Sequence, residues 1–228
     1  MRERIKLVAA DKHSFCGWSS SPKGKCKGGI VVLHAVFGLT SHIGDVCDRW
    51  ASAGFHAVAP ALFDRLGADT VHPYGREGAE AGVLTYAKLT TGQILLDVAA
   101  CSEALAPQGP IAITGFCTGG SYSWSVASRL PFTAQVAFYG SHIHERLDQA
   151  PLCPTQLHFG AVDHVVTTAE QDLITEAFPD VDMRRYEGVG HAFMNPEQEF
   201  FNAPATEVAW ASAISFIETK FHAASRTA

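Results

Sequence analysis

The chain has 228 residues, 47% hydrophobic and 18% charged, and its 17 Lys and Arg against 23 Asp and Glu give a formal charge of −6. That length suits one domain with a sizeable core, so residues 1–228 are expected to form a single unit. No basic stripe invites nucleic acid or an anionic membrane surface, no apolar run nears the roughly 18 residues of a spanning helix, and residues 1–12 do not read as a secretory leader. A cytoplasmic protein without nucleic-acid or membrane partners is the expectation.

In chain order, residues 5–9 and 15–19 read as two short strands. Gly28 and Gly29 lead into Ile30-Val31-Val32-Leu33-His34, an apolar run typical of a strand covered on both faces in a parallel sheet. A loop from Ala35 to Thr40 precedes a helix over 41–53 closed by Gly54, and 55–59 is the next strand, ended by Pro60. Residues 64–82 show no clear periodicity and are expected to be a lid or mobile excursion. A helix over 84–106 stops at Pro107. Residues 111–116 form a strand, 121–129 a helix, 134–139 a strand and 155–159 another. Thr167 caps a helix to 178, 182–186 is the last strand, and 207–221 is an amphipathic terminal helix. Strands alternating with helices predict an α/β fold, a doubly wound and mostly parallel sheet with its chemistry at the strands' carboxyl ends.

Six cysteines are scattered without the paired spacing of a zinc site or a disulfide scaffold. Cys117 alone stands in an activating context, Gly115-Phe116-Cys117-Thr118-Gly119, the cysteine counterpart of a nucleophile elbow. A sharp strand-to-helix turn needs nearly side-chain-free neighbours, and the helix N-terminus behind it favours a thiolate or oxyanion. Taken alone, the five residues equally describe a glycine-rich turn with a buried cysteine. Further along, Asp163 follows a strand and a glycine turn, and His191 sits in a loop made flexible by Gly188 and Gly190. Nucleophile, acid, histidine is the order in which α/β-hydrolases present a triad. His191 would take the thiol proton, and Asp163 would fix the imidazole tautomer. Asp163 also has a plain reading as a turn residue.

At these residues the chain resembles the dienelactone hydrolases (carboxymethylenebutenolidases) of the α/β-hydrolase fold. The resemblance runs from about Gly29 to the terminal helix and is carried by Val36-Phe37-Gly38, Ala59-Pro60-Ala61-Leu62-Phe63, Gly115-Phe116-Cys117-Thr118-Gly119-Gly120, Gly160-Ala161-Val162-Asp163-His164 and Gly190-His191-Ala192-Phe193. It implies cleavage of a small carboxylic ester or lactone through an acyl-cysteine, without a cofactor or metal. It also implies an oxyanion hole from the backbone amides of Val36 and Thr118. The family's glutamate in the loop after the third strand is absent, since His34-Ala35-Val36-Phe37-Gly38 puts Ala35 there. Arg76 is the nearest candidate for the family's carboxylate-binding arginine; its plain reading is a solvated charge.

Phe37 and Phe116, beside the site, are candidates for an apolar pocket wall, and His142 for a substrate-facing loop role. His142-x-His144 lacks a nearby third ligand and so makes a poor metal pair. His34 reads as a hydrogen-bonded core residue. Two rivals to the hydrolase remain: an inactive relative that binds a small ligand or partner, motivated by Ala35, and a thiol redox sensor, for which no resolving cysteine lies close in sequence.

Overall fold

The structure, a computed structural model, describes residues 2–226. The chain separates into two compact units, residues 1–113 and 114–228. Strands β1 (Arg2–Val8), β2 (Ser14–Ser20), β3 (Gly29–Leu33) and β4 (His56–Pro60) build the first. Their order is β1-β2-β4-β3, and β5 (Ile111–Phe116) begins in this unit beside β3. The hairpin β1–β2 is antiparallel and β2 joins β4 antiparallel, whereas β3 and β4 run parallel. All five residues of β3 are buried, which accounts for its unbroken apolar run. Helix α1 (Ser41–Ser52) turns Ile43, Val46, Cys47 and Trp50 inward at mixed three- and four-residue spacing.

The single helix expected over 84–106 is two helices, α2 (Arg76–Tyr86) and α3 (Thr91–Leu105). The break is local chemistry: Thr90 Oγ1 accepts from the Gln93 amide at 3.2 Å, and Gln93 Oε1 accepts from the Thr90 amide at 2.9 Å. This capping box starts a new helix where apolar periodicity alone ran on. The stretch 64–82 is correspondingly tied down. A 3₁₀ turn (Leu62–Arg65) opens it, an isolated bridge joins Gly38 to Val71, and His72 N–H donates to Phe37 O at 2.9 Å. Within α2, a Cβ on Gly82 would lie 2.0 Å from Val36 O, so glycine lets the helix seat directly on the turn after β3. The guanidinium of Arg65 is buried and bidentate on Asp97 of α3, at 2.9 and 2.7 Å, and also meets Asp11.

In the second unit β5 ends beside β6 (Ala134–Phe138), followed by β7 (Thr155–Gly160) and β8 (Asp182–Tyr186); β6–β7 and β7–β8 are parallel. Helices α4 (Thr118–Ala127), α5 (Thr168–Ala177) and α6 (Ala203–Ser225) complete it. Thr167 and Glu170 cap α5 reciprocally, as that Thr-x-x-Glu spacing predicts. Helix α6 starts four residues earlier than its apolar pattern, because the Asn202 side chain accepts from Ala205 N–H and Pro204 suits the first turn. Between β7 and β8, His158 Nδ1 accepts from Tyr186 OH at 2.7 Å while Nε2 donates to Gln156 Oε1 at 2.9 Å, so a buried imidazole is fully satisfied. The fold is α/β, a mixed eight-stranded sheet flanked by six helices among the described residues. No helix of the described residues is long and apolar enough to cross a membrane.

Candidate active site

The second unit brings Cys117, Asp163 and His191 together. Cys117 is the N-cap of α4, in the left-handed region at φ 52° and ψ −120°. A non-glycine residue there is strained, and the surroundings must hold it. Cys117 N–H donates to Phe138 O at 3.0 Å, and its own carbonyl accepts from Ser121 and Ser141 amides. A Cβ on Gly115 would fall 2.1 Å from Gly119 O, which explains the residue two before the cysteine. The bend that exposes a side chain above the strand leaves no room for a neighbour's.

Asp163 leaves the end of β7. Its Oδ1 accepts from the Val165 and Val166 amides at 2.7 and 3.0 Å, and its Oδ2 accepts from His191 Nδ1 at 2.8 Å. The two backbone donors hold the carboxylate so that its second oxygen faces the ring. The loop carrying His191 is knitted to the same strand: Ala161 N–H donates to Tyr186 O, and Val162 N–H to Val189 O. A Cβ on Gly160 would meet Val189 O at 2.1 Å, so this glycine also sets how near the two loops come. With Nδ1 bound, His191 Nε2 is buried and makes no hydrogen bond of ordinary geometry. Sulfur and ring nevertheless govern each other's protons. Burial alone would raise the Cys117 thiol, but the His191 charge, then hydrogen bonds from His191 and Thr118, bring it below its ordinary value. Burial alone would lower His191, but the charge on Cys117 and the bond to Asp163 raise it. Such mutual stabilisation favours a thiolate–imidazolium pair.

The Dienelactone hydrolase family matches residues 15–221 of the chain. The chain belongs to that family. A carboxymethylenebutenolidase of a Pseudomonas species is 29% identical over 199 residues, covering 83% of each chain. That of Pseudomonas putida is 25% identical over 227 residues, covering 95% of this chain and 96% of the relative. Among solved structures, a dienelactone hydrolase-like promiscuous phosphotriesterase from metagenomic libraries superposes with a TM-score of 0.74 at 20% identity, covering 96% of this chain and 98% of the other. That likeness concerns the fold. Membership in the dienelactone hydrolase family supports a hydrolase of lactones or esters.

The other expected site residues fall as follows. Thr118 is the first residue of α4 and is buried beside the sulfur, its Oγ1 3.9 Å from Sγ. Val36, in the first unit, sits buried in a turn whose carbonyls are all engaged or covered. Ala35 O accepts from His34 Nδ1 at 2.8 Å and from Gly38 N–H, Val36 O packs on Gly82, and Phe37 O accepts from His72. His34 is therefore the hydrogen-bonded core residue expected, with Nε2 accepting from Leu62 N–H. Phe37 is half-buried against Tyr74. Phe116 is corrected: at 2% exposure, stacked 4.9 Å from Phe138, it belongs to the core, because β5 is covered on both faces and buried from Ala112 to Phe116. Arg76 begins α2, fully out in solvent and paired with Glu80 one turn on. His142 is half exposed with Glu145 at 3.4 Å.

Three residues escaped the reading of the sequence. Tyr139 follows β6 at φ 43° with its ring edge-on to His191, centroids 5.0 Å apart. Ala192, just after the histidine, also has a positive φ of 57°. The hydroxyl of Ser121 accepts from His142 N–H at 2.9 Å and joins Ser141 behind the bend. A strained tyrosine or alanine carries no sequence signature, since only tertiary packing selects it.

Proposed function

We propose that the chain is a cysteine hydrolase of small carboxylic esters or lactones, with Cys117 as nucleophile, His191 as general base and acid, and Asp163 as its orienting carboxylate. The observation that carries this reading is the polarity of His191: Nδ1 is bound by a carboxylate that two amides immobilise, while the ring is coupled by charge to Cys117 and Nε2 has no other partner. The Cys117 thiolate adds to the substrate carbonyl, and the backbone amide of Thr118, at the start of α4, receives the oxyanion. Donors fixed in advance contribute about 2.7–4 kcal/mol each at such a point. Collapse breaks the ester C–O bond, and His191 Nε2–H protonates the leaving oxygen, leaving an S-acyl cysteine. Water then adds to the thioester, giving its proton to Nε2, and collapse returns the thiolate and releases the acid.

The alternative is an inactive relative that binds a small ligand, favoured by Ala35 where the family carries a glutamate. The two separate on one experiment. Incubation with phenyl acetate should give an acetyl adduct on Cys117 by intact mass, and turnover that Cys117→Ala and His191→Ala each abolish in folded protein. Unchanged turnover in either variant would remove the mechanism. No adduct and no turnover over a panel of esters and lactones would leave the binding role.

A further inference from the structure

Resting on that reading of the site, we infer that its substrates are uncharged esters with an aromatic or similarly flat apolar group, taken by a shelf formed by His164 and Phe200. The rings run outward from the general base. His164 stands edge-on to His191 with centroids 6.2 Å apart, and Phe200 lies 5.1 Å beyond, tilted against His164. Phe200 is held there through Gly190, where a Cβ would come within 3.1 Å of its ring. Yet Phe200 is 44% exposed, and its neighbour Phe201 is 39% exposed. Val162 and Val165, on either side of the Asp163–His164 pair, are exposed as well. Large apolar side chains in solvent have a cost that burial against a partner would recover. Here they gather in the two loops that carry the acid and the base, and a flat ring stacks well on such a surface.

Charge points the same way. Segments 139–145, 161–170 and 187–202 contain Glu145, Asp163, Glu170, Glu187, Glu197 and Glu199, and no Lys or Arg at all. The next cation in sequence, Arg146, is engaged with Ser125 Oγ at 2.8 Å and stacks over the Tyr122 ring. A carboxylate on the substrate would meet repulsion from these loops, whereas a neutral ring would not.

The test uses the full chain with phenyl acetate, 4-carboxyphenyl acetate and methyl acetate. The carboxylate substituent does not make phenoxide a poorer leaving group, so a preference for the neutral aryl ester reports recognition. The expected result is kcat/KM about tenfold higher for phenyl acetate at low salt, with the gap closing in high salt. Phe200→Ala should raise KM for phenyl acetate about tenfold and leave methyl acetate within about twofold. Acetyl-Cys117 formed from all three esters, with the carboxylate ester equal or preferred, would overturn the substrate class while leaving the hydrolase reading intact. So would a Phe200→Ala variant indistinguishable from the parent. No acetyl-Cys117 from any of them would remove both.

Discussion

Cys117 pays for its position in backbone strain, of order 1–3 kcal/mol at such dihedrals, and the amide and carbonyl bonds around it are what keep it there. Its chemistry depends on a partner 74 residues away in the chain, and the proton balance between the two sets the expected pH dependence. The Cys117 thiol is lowered from an ordinary 9.0 and His191 is raised from 6.5. With rising pH, kcat/KM should therefore climb through the lowered thiol value as the thiolate forms, then hold flat while the ion pair persists. It should fall only where His191 loses its proton, above 6.5. A pH–rate profile on a neutral ester checks this; an acid limb at the position of a free thiol would contradict the pairing. Asp163→Asn replaces the carboxylate facing Nδ1 with a neutral amide, whose oxygen the Val165 and Val166 amides retain, and should lower kcat by about 10²–10⁴. It should also bring the alkaline limb down, since part of what raises His191 is that bond.

At the scale of elements, the bend between β5 and α4 is a steric contract. Gly115→Ala would drive a methyl to 2.1 Å from a backbone oxygen, and a backbone oxygen cannot swing away as a side chain can. A loss of at least about 3 kcal/mol is expected by urea denaturation, together with loss of activity. In the first unit, the 3₁₀ turn is joined to α3 through Arg65 and Asp97, whose side chains are 5% and 1% exposed. Burial pushes the Asp97 carboxyl up, and only partly does Arg65 offset it. Arg65→Met would leave that carboxylate buried and uncompensated, costing about 3–5 kcal/mol, whereas Arg65→Met with Asp97→Leu should recover most of the loss. Thermal denaturation of the pair decides it: equal destabilisation in the single and double variants would mean that the ion pair is not what anchors the turn.

Across the whole molecule, three buried histidines share one electrostatic property. Burial pushes His34 and His42 down to about 4 and His158 to about 3, against 6.5 when exposed. Each is neutral in the folded chain and would take a proton once unfolded. Their stabilising effect is thus complete above about pH 6.5 and is lost as pH falls towards 4, at about 1.4 kcal/mol per pH unit for each. Stability of a domain this size is about 5–15 kcal/mol, so acid unfolding should begin below pH 6, before most carboxylates titrate. Circular dichroism at stepped pH checks the onset, and His158→Phe should shift it to lower pH relative to its own neutral-pH stability.

What the sequence determined by itself was whatever depends on neighbours in the chain. The unbroken apolar run of β3, the capping residue Thr167, the glycines of the bend and the order Cys117, Asp163, His191 could all be read, because strand burial, helix starts and tight turns are local physics. The break between α2 and α3 was equally local, but its Thr90–Gln93 signal was weaker than the apolar pattern running through it. Tertiary structure alone decided which distant groups meet. It set Phe116 in the core, stood Tyr139 against the imidazole, engaged the carbonyls of the Ala35–Phe37 turn and laid Phe200 on His164. Those outcomes rest on contacts between segments tens of residues apart, where close packing and desolvation act on surfaces that do not exist until the chain has folded.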